Sequence, residues 1–109
     1  MRSARRPGAG RPQDPPHAAM ELLGQRWMLR VIWELEPGPI GFLELRRRMG
    51  NCSSSMLSVR LQHLQGAGLA LKRPDKAWEL TASGQALGTA LRPLWSWSRQ
   101  WSGAAEGAD

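Results

Sequence analysis

Residues 42–80 read FLELRRRMGNCSSSMLSVRLQHLQGAGLALKRPDKAWEL, and this stretch decides the fold. Phe42, Leu45 and Met49 fall at helical spacing and stop at Gly50-Asn51. Ser53 or Ser54 can then cap a second helix, because a serine hydroxyl accepts from the free N–H groups of a first turn. Leu57, Leu61 and Leu64 form the inner face of that helix, and Gly66 with Gly68 closes it. Leu69–Arg73 and Lys76–Leu80 read as two short strands joined by a tight Pro74-Asp75 turn. Two short helices, a turn between them and a two-stranded hairpin describe a winged helix-turn-helix.

Working outward, Met20, Leu22, Leu23, Trp27, Val31, Ile32 and Leu35 share a helical period, with Gly24 as a break between a short helix and a longer one. Pro37-Gly38-Pro39 ends the second of these, since proline cannot continue the hydrogen-bond ladder. Beyond the hairpin, Thr81 caps a last helix carrying Leu87, Leu91, Leu94 and Trp101, which Pro93 kinks rather than ends. Residues 1–13 are rich in Arg, Gly, Pro and Ala without periodicity and read as a disordered basic tail. The expected folded domain is 14–103, mainly α with one small hairpin, and 104–109 is a disordered C-terminus.

Chemistry enters through the faces of these elements. With the three leucines turned inward, Ser55, Ser58, Val59 and Gln62 point outward and Arg60 lies on a flank; Ser54 opens the helix. Such a small, polar surface suits a major groove: Ser and Gln can hydrogen-bond base edges, and Val can touch a thymine methyl. Arg46, Arg47 and Arg48 fall where the preceding helix would cross the phosphate backbone, and Lys72, Arg73 and Lys76 mark the hairpin. Against phosphate contact stands the plainer reading of a solvated helix face. Arg60 can also be read as pairing with Glu44 or capping a helix end.

Charge supports a polyanionic partner. The chain of 109 residues carries a net +6, of which Arg2, Arg5, Arg6 and Arg11 supply four. Within 42–76, seven basic side chains face two acidic ones. Other classes lack their signatures. No run of eighteen apolar residues crosses a membrane, and the N-terminus lacks the apolar core of a secretory signal. Cys52 is the single cysteine, read as a small residue of the turn; His17 and His63 are too few and too far apart for a metal site. Neither a nucleophile–base pair, paired carboxylates nor a phosphate loop is present, so the reading is a cofactor-free, cytoplasmic, nucleoid-associated binding protein and not an enzyme. A winged-helix protein-interaction module without DNA binding is the rival.

Taken together, six fragments over residues 14–101 resemble the HxlR-type, MarR-like regulators of transcription. They are Leu23-Gly24-Gln25-Arg26-Trp27, Gly38-Pro39-Ile40-Gly41-Phe42-Leu43-Glu44-Leu45, Met56-Leu57-Ser58-Val59-Arg60-Leu61, Gly68-Leu69, Leu80-Thr81-Ala82-Ser83-Gly84, and Pro93 followed by Trp101. The resemblance implies a bacterial homodimer joined through its N- and C-terminal helices, palindromic double-stranded operator DNA and often a small effector. Asp14 stands where many of these proteins carry a cysteine, so thiol sensing does not carry over to that position. The hairpin is shorter than the family's usual wing, Trp78 stands where Tyr is common, and Gly41 replaces a frequent Arg.

The remaining apolar residues are assigned to assembly. Leu22, Trp27, Leu87, Leu91, Leu94, Trp95, Trp97 and Trp101 are expected at a dimer interface, or around a pocket for a small aromatic or apolar effector. Repression by promoter occlusion is the expected mode.

Overall fold

A computed structural model describes residues 15–107, with side chains described for 15–103. The basic tail with Arg2, Arg5, Arg6 and Arg11, and Asp14, lie outside the described residues. In chain order the elements are α1 Pro15–Leu23, α2 Met28–Leu35, α3 Phe42–Arg48, α4 Ser54–Gly66, β1 Ala70–Lys72, β2 Trp78–Leu80 and α5 Ala82–Gly107.

The core forms where the apolar periods meet. α2 buries Met28, Val31, Ile32 and Leu35, spaced for one helix face, against Leu45 and Met49 at α3 and Leu57, Leu61 and Leu64 of α4. Of the two capping serines weighed, Ser53 does the work: its Oγ accepts from Met56 N–H at 3.2 Å. At the other end of α4, Gly68 adopts φ +76°. Its N–H bonds Gln65 O at 3.0 Å, and Leu69 N–H bonds Leu64 O at 2.9 Å. That pair is a Schellman motif, and it turns the chain out of α4 directly into the hairpin.

The strands are shorter than the alternation suggested. β1 and β2 pair antiparallel with Ala70 opposite Leu80 and Lys72 opposite Trp78, leaving 73–77 as the connection. The Asp75 carboxylate explains the difference. It accepts from Ala77 N–H at 3.0 Å and from the Arg73 guanidinium at 3.2 and 3.1 Å, so the loop wraps around it. Lys76 N–H bonds Arg73 O at 2.8 Å, which places Pro74-Asp75 at the centre of the expected tight turn. Lys76, the last residue of that turn, takes φ +74°, the left-handed conformation that three-residue hairpin loops use at this point.

A further pairing fixes the hairpin's base. Ile40 forms an antiparallel bridge with Trp78, with N–H···O distances of 2.8 and 2.9 Å. Thr81 caps α5 as expected, accepting from Gly84 N–H at 3.1 Å while donating to Gly68 O at 2.7 Å. α5 runs through Pro93 and continues to Gly107, past residue 103 where the domain's end was expected. Leu87 and Leu91 pack it on the core, and Arg92 reaches Glu36 of the α2 C-terminus at 2.8 Å.

Candidate nucleic-acid interface

Between α3, the outer face of α4 and the hairpin runs a groove of about 650 Å³. Ser58 and Gln62 line one wall, Lys72 and Lys76 the other, and Leu43 with Glu44 stands at its α3 edge. Ser54, Ser55 and Val59 continue the exposed surface of α4 toward its N-terminus. The geometry follows from the sequence period. Once Leu57, Leu61 and Leu64 are fully buried, positions 55, 58, 59 and 62 must face away from the core. Asp75 also lines the hairpin side, so the two ammonium groups share the groove with the carboxylates of Asp75 and Glu44; the small hydrogen-bonding side chains of α4 suit base edges, and Lys72 and Lys76 suit phosphates.

The arginines separate by role. Arg46 is half-buried, and its Nε donates to Cys52 O at 2.6 Å, fastening the end of α3 to the turn that precedes α4. Arg47 and Arg48 are exposed and both pair with Glu44, Arg48 Nε at 3.0 Å. Hydrogen bonds from Arg47 and then Arg48 hold the Glu44 carboxyl below the usual carboxylate range, so it stays charged through neutral pH. Arg73 is drawn to Asp75 and Glu79, whereas Lys72 and Lys76 are exposed. Arg60 Nε donates to Arg26 O at 2.7 Å, neither of the two intramolecular uses weighed for it. Cys52 is half-buried against the core, as a turn residue would be.

The assembly residues also separate. Leu22, Leu87 and Trp95 pack partly buried against the chain's own core, and Leu91 belongs to it. Leu94, Trp97 and Trp101 stay at the surface, 38%, 55% and 60% exposed. Trp97 and Trp101 stack on each other, centroids 5.3 Å apart. Trp27 is exposed at the start of α2.

Two participants, Leu43 and Gln25, were not drawn out of the sequence, and a third, Glu44, was weighed there as a partner of Arg60 alone. Leu43, 76% exposed at the groove edge, looks like one more helix residue. Glu44 had a readable signal in its spacing of three and four from two arginines. Gln25, whose side chain meets His63, is 38 positions away from it and gave none.

Glu44 makes a testable competitor for any phosphate that approaches Arg47 and Arg48. Glu44→Gln is expected to raise affinity for a duplex of arbitrary sequence about threefold or more at low salt, and to steepen the salt dependence. Titrations at two salt concentrations check this; an unchanged slope would place both arginines outside the contact.

A helix-turn-helix with a groove between its second helix and a wing, lined on the wing side by Lys72 and Lys76, defines a DNA-binding regulator of the winged-helix class. The model of the HxlR-like helix-turn-helix family matches residues 22–106, and the chain belongs to that family. It is similar to the uncharacterized HTH-type transcriptional regulator YvaP of Bacillus subtilis, 28% identical over 89 residues, covering 76% of this chain and 82% of that protein. Among solved structures it resembles quinone-bound YodB of B. subtilis (TM-score 0.69, 30% identity), with coverage of 76% of this chain and 92% of that one. A possible HxlR family transcriptional factor from Thermoplasma volcanium gives TM-score 0.73 at 27% identity, over 82% and 85% of the two chains. These relatives are regulators of transcription, not enzymes. Among the described residues no helix is long and apolar enough to cross a membrane.

Proposed function

We propose that the protein is a cytoplasmic repressor that binds a palindromic operator as a homodimer, α4 entering the major groove and the hairpin following the phosphate backbone. The observation that carries this is the groove joining Ser58 and Gln62 to Lys72 and Lys76. Repression follows from occlusion: a dimer across two half-sites about one helical turn apart covers promoter DNA. The exposed Leu94, Trp97 and Trp101 supply the apolar surface a second copy would cover. The quinone held by YodB supports a small aromatic or apolar effector here as well. An apolar recess of about 310 Å³ between Ala18, Leu22, Leu23, Leu69 and Leu87 is large enough for one.

The test selects bound duplexes from a random pool and compares variants on the selected and a scrambled sequence. Gln62→Ala and Ser58→Ala should change which bases are tolerated, at roughly 1–3 kcal/mol where a good contact is lost. Arg47→Ala and Lys72→Ala should weaken both duplexes alike and lower the salt slope by about one charge. Equal effects of Gln62→Ala and Arg47→Ala on both duplexes would remove the base-reading role. No binding by the intact protein at low salt would favour the protein-interaction reading.

A further inference from the structure

We propose that Arg60 and His63 are not DNA contacts but positioning residues: they clamp α4 to the α1–α2 loop and thereby set the rotation at which its reading face meets the bases. The inference rests on α4 being the reading helix.

The two residues are three apart on α4 and share one flank. Arg60 Nε donates to Arg26 O at 2.7 Å, and His63 Nδ1 lies 2.6 Å from Gln25 Oε1, so the ring N–H donates to the amide oxygen. Both partners sit in the four-residue loop 24–27. That loop is itself held in an unusual shape. Trp27 adopts φ +73°, a left-handed conformation that a bulky side chain takes only when its surroundings enforce it. Met28 N–H closes the loop onto Gln25 O at 3.0 Å, and the Arg26 guanidinium lies 5.9 Å from the centre of the Trp27 ring. The loop is therefore a fixed abutment, and α4 is tied to it along one edge.

The physical need is clear from the geometry of base reading. Hydrogen bonds from Ser58 and Gln62 weaken steeply with misalignment, so a helix free to roll about its axis loses discrimination before it loses attraction. The buried leucines choose which face of α4 points outward, and the two directional side-chain hydrogen bonds restrain the roll that remains. With its Nε committed to a carbonyl, Arg60 is oriented along the flank toward the loop.

The experiment uses the full chain, a duplex selected by the wild type from a random pool, and a scrambled duplex. The readouts are the ratio of the two affinities and the salt slope. Arg60→Ala is expected to lower the ratio roughly tenfold while leaving the slope unchanged, because no phosphate contact is lost. Arg60→Lys, which keeps the charge but not the planar fork, should shift the ratio in the same direction. Gln25→Ala is the telling variant: it lies on neither α3, α4 nor the hairpin, yet it should also lower the ratio. Gln25→Ala and His63→Ala should be non-additive, as partners in one contact are. A merely structural role would lower the melting temperature of these variants and leave the ratio of the folded protein intact, and that result overturns the proposal. A slope reduced by about one in Arg60→Ala overturns it too, making Arg60 a phosphate contact. If Arg60→Ala does not fold, Gln25→Ala and His63→Ala decide alone. Should Gln62→Ala leave the ratio untouched, the reading helix itself is wrong and the clamp falls with it; a Gln62 effect without a Gln25 effect sinks the clamp only.

Discussion

Gly84→Ala is expected to lower the melting temperature by roughly 10–20 °C or to prevent the folded protein from accumulating. A Cβ built at residue 84 would stand 2.0 Å from Leu69 O and 3.0 Å from Leu80 Cβ. The first of these atoms is backbone, and the same carbonyl accepts from Thr81 N–H at 2.9 Å. Neither can give way by a rotamer change, so α5 would have to lift from the segment that joins α4 to β1. Overpacking of this kind costs about 3 kcal/mol, and each kilocalorie moves a domain of this size by roughly 4–8 °C. The control is Gly103→Ala on the same helix, where an added Cβ meets nothing within 4 Å. That change should be neutral or slightly stabilising, since alanine loses less backbone entropy than glycine. Thermal melts of the two variants beside the wild type settle the matter. A Gly84→Ala protein melting within about two degrees of the wild type would refute the close approach.

The second large effect belongs to the outer face of α5. Leu94, Trp97 and Trp101 recur at helical spacing and remain exposed, while Leu87 and Leu91, nearer the start of the helix, are spent on the chain's own core. If a second copy covers that surface, the two indoles are its anchors, and buried tryptophans at interface centres are worth about 2 kcal/mol or more each. The double variant Trp97→Ala/Trp101→Ala should therefore weaken dimerisation by about three orders of magnitude. Operator affinity should fall with it, because each half-site would be bound separately. Sedimentation across micromolar concentrations reads the first effect, and titration with one and two half-sites reads the second. A wild-type protein that stays monomeric and soluble at those concentrations would defeat the dimer.

Much of this architecture is legible in the sequence because it rests on local signals. The breaks at Gly24, Pro37-Gly38-Pro39 and Gly68, the serine and threonine caps, and the leucine period of α4 each act within one turn of helix. The outward direction of Ser55, Ser58, Val59 and Gln62 follows from that period alone. What could not be read depends on distant partners. The bridge at Ile40 is a single residue without alternation, and its mate is 38 positions away. The left-handed Trp27 contradicts the preference of a bulky side chain, and its loop meets α4 through residues 34 and 38 positions away. Arg46, Arg47 and Arg48 look alike as a run of three. The pairing of Arg47 and Arg48 with Glu44 lies in their spacing, but the separate task of Arg46, bound to Cys52 O, appears only once the α3–α4 turn has brought that carbonyl within reach. The apolar stripe of α5 divides for a related reason: the helix outlasts the core beneath it, so a leucine is interior at 91 and another, at 94, is at the surface with Trp97 and Trp101.

The bridge between Ile40 and Trp78 has one more consequence. It separates the hairpin's foundation from its fingertip. The foundation is welded to the segment entering α3, with Trp78 and Leu80 sunk into the interior. The stretch from Arg73 to Ala77 extends beyond the weld, closed by its own bonds: Arg73 N–H to Ala77 O at 2.7 Å, Lys76 N–H to Arg73 O, and the contacts of the Asp75 carboxylate. Evolution, or an engineer, can thus lengthen, recharge or trim the tip as a modular attachment. The length and charge of the tip become adjustable while the frame that aims it keeps its alignment.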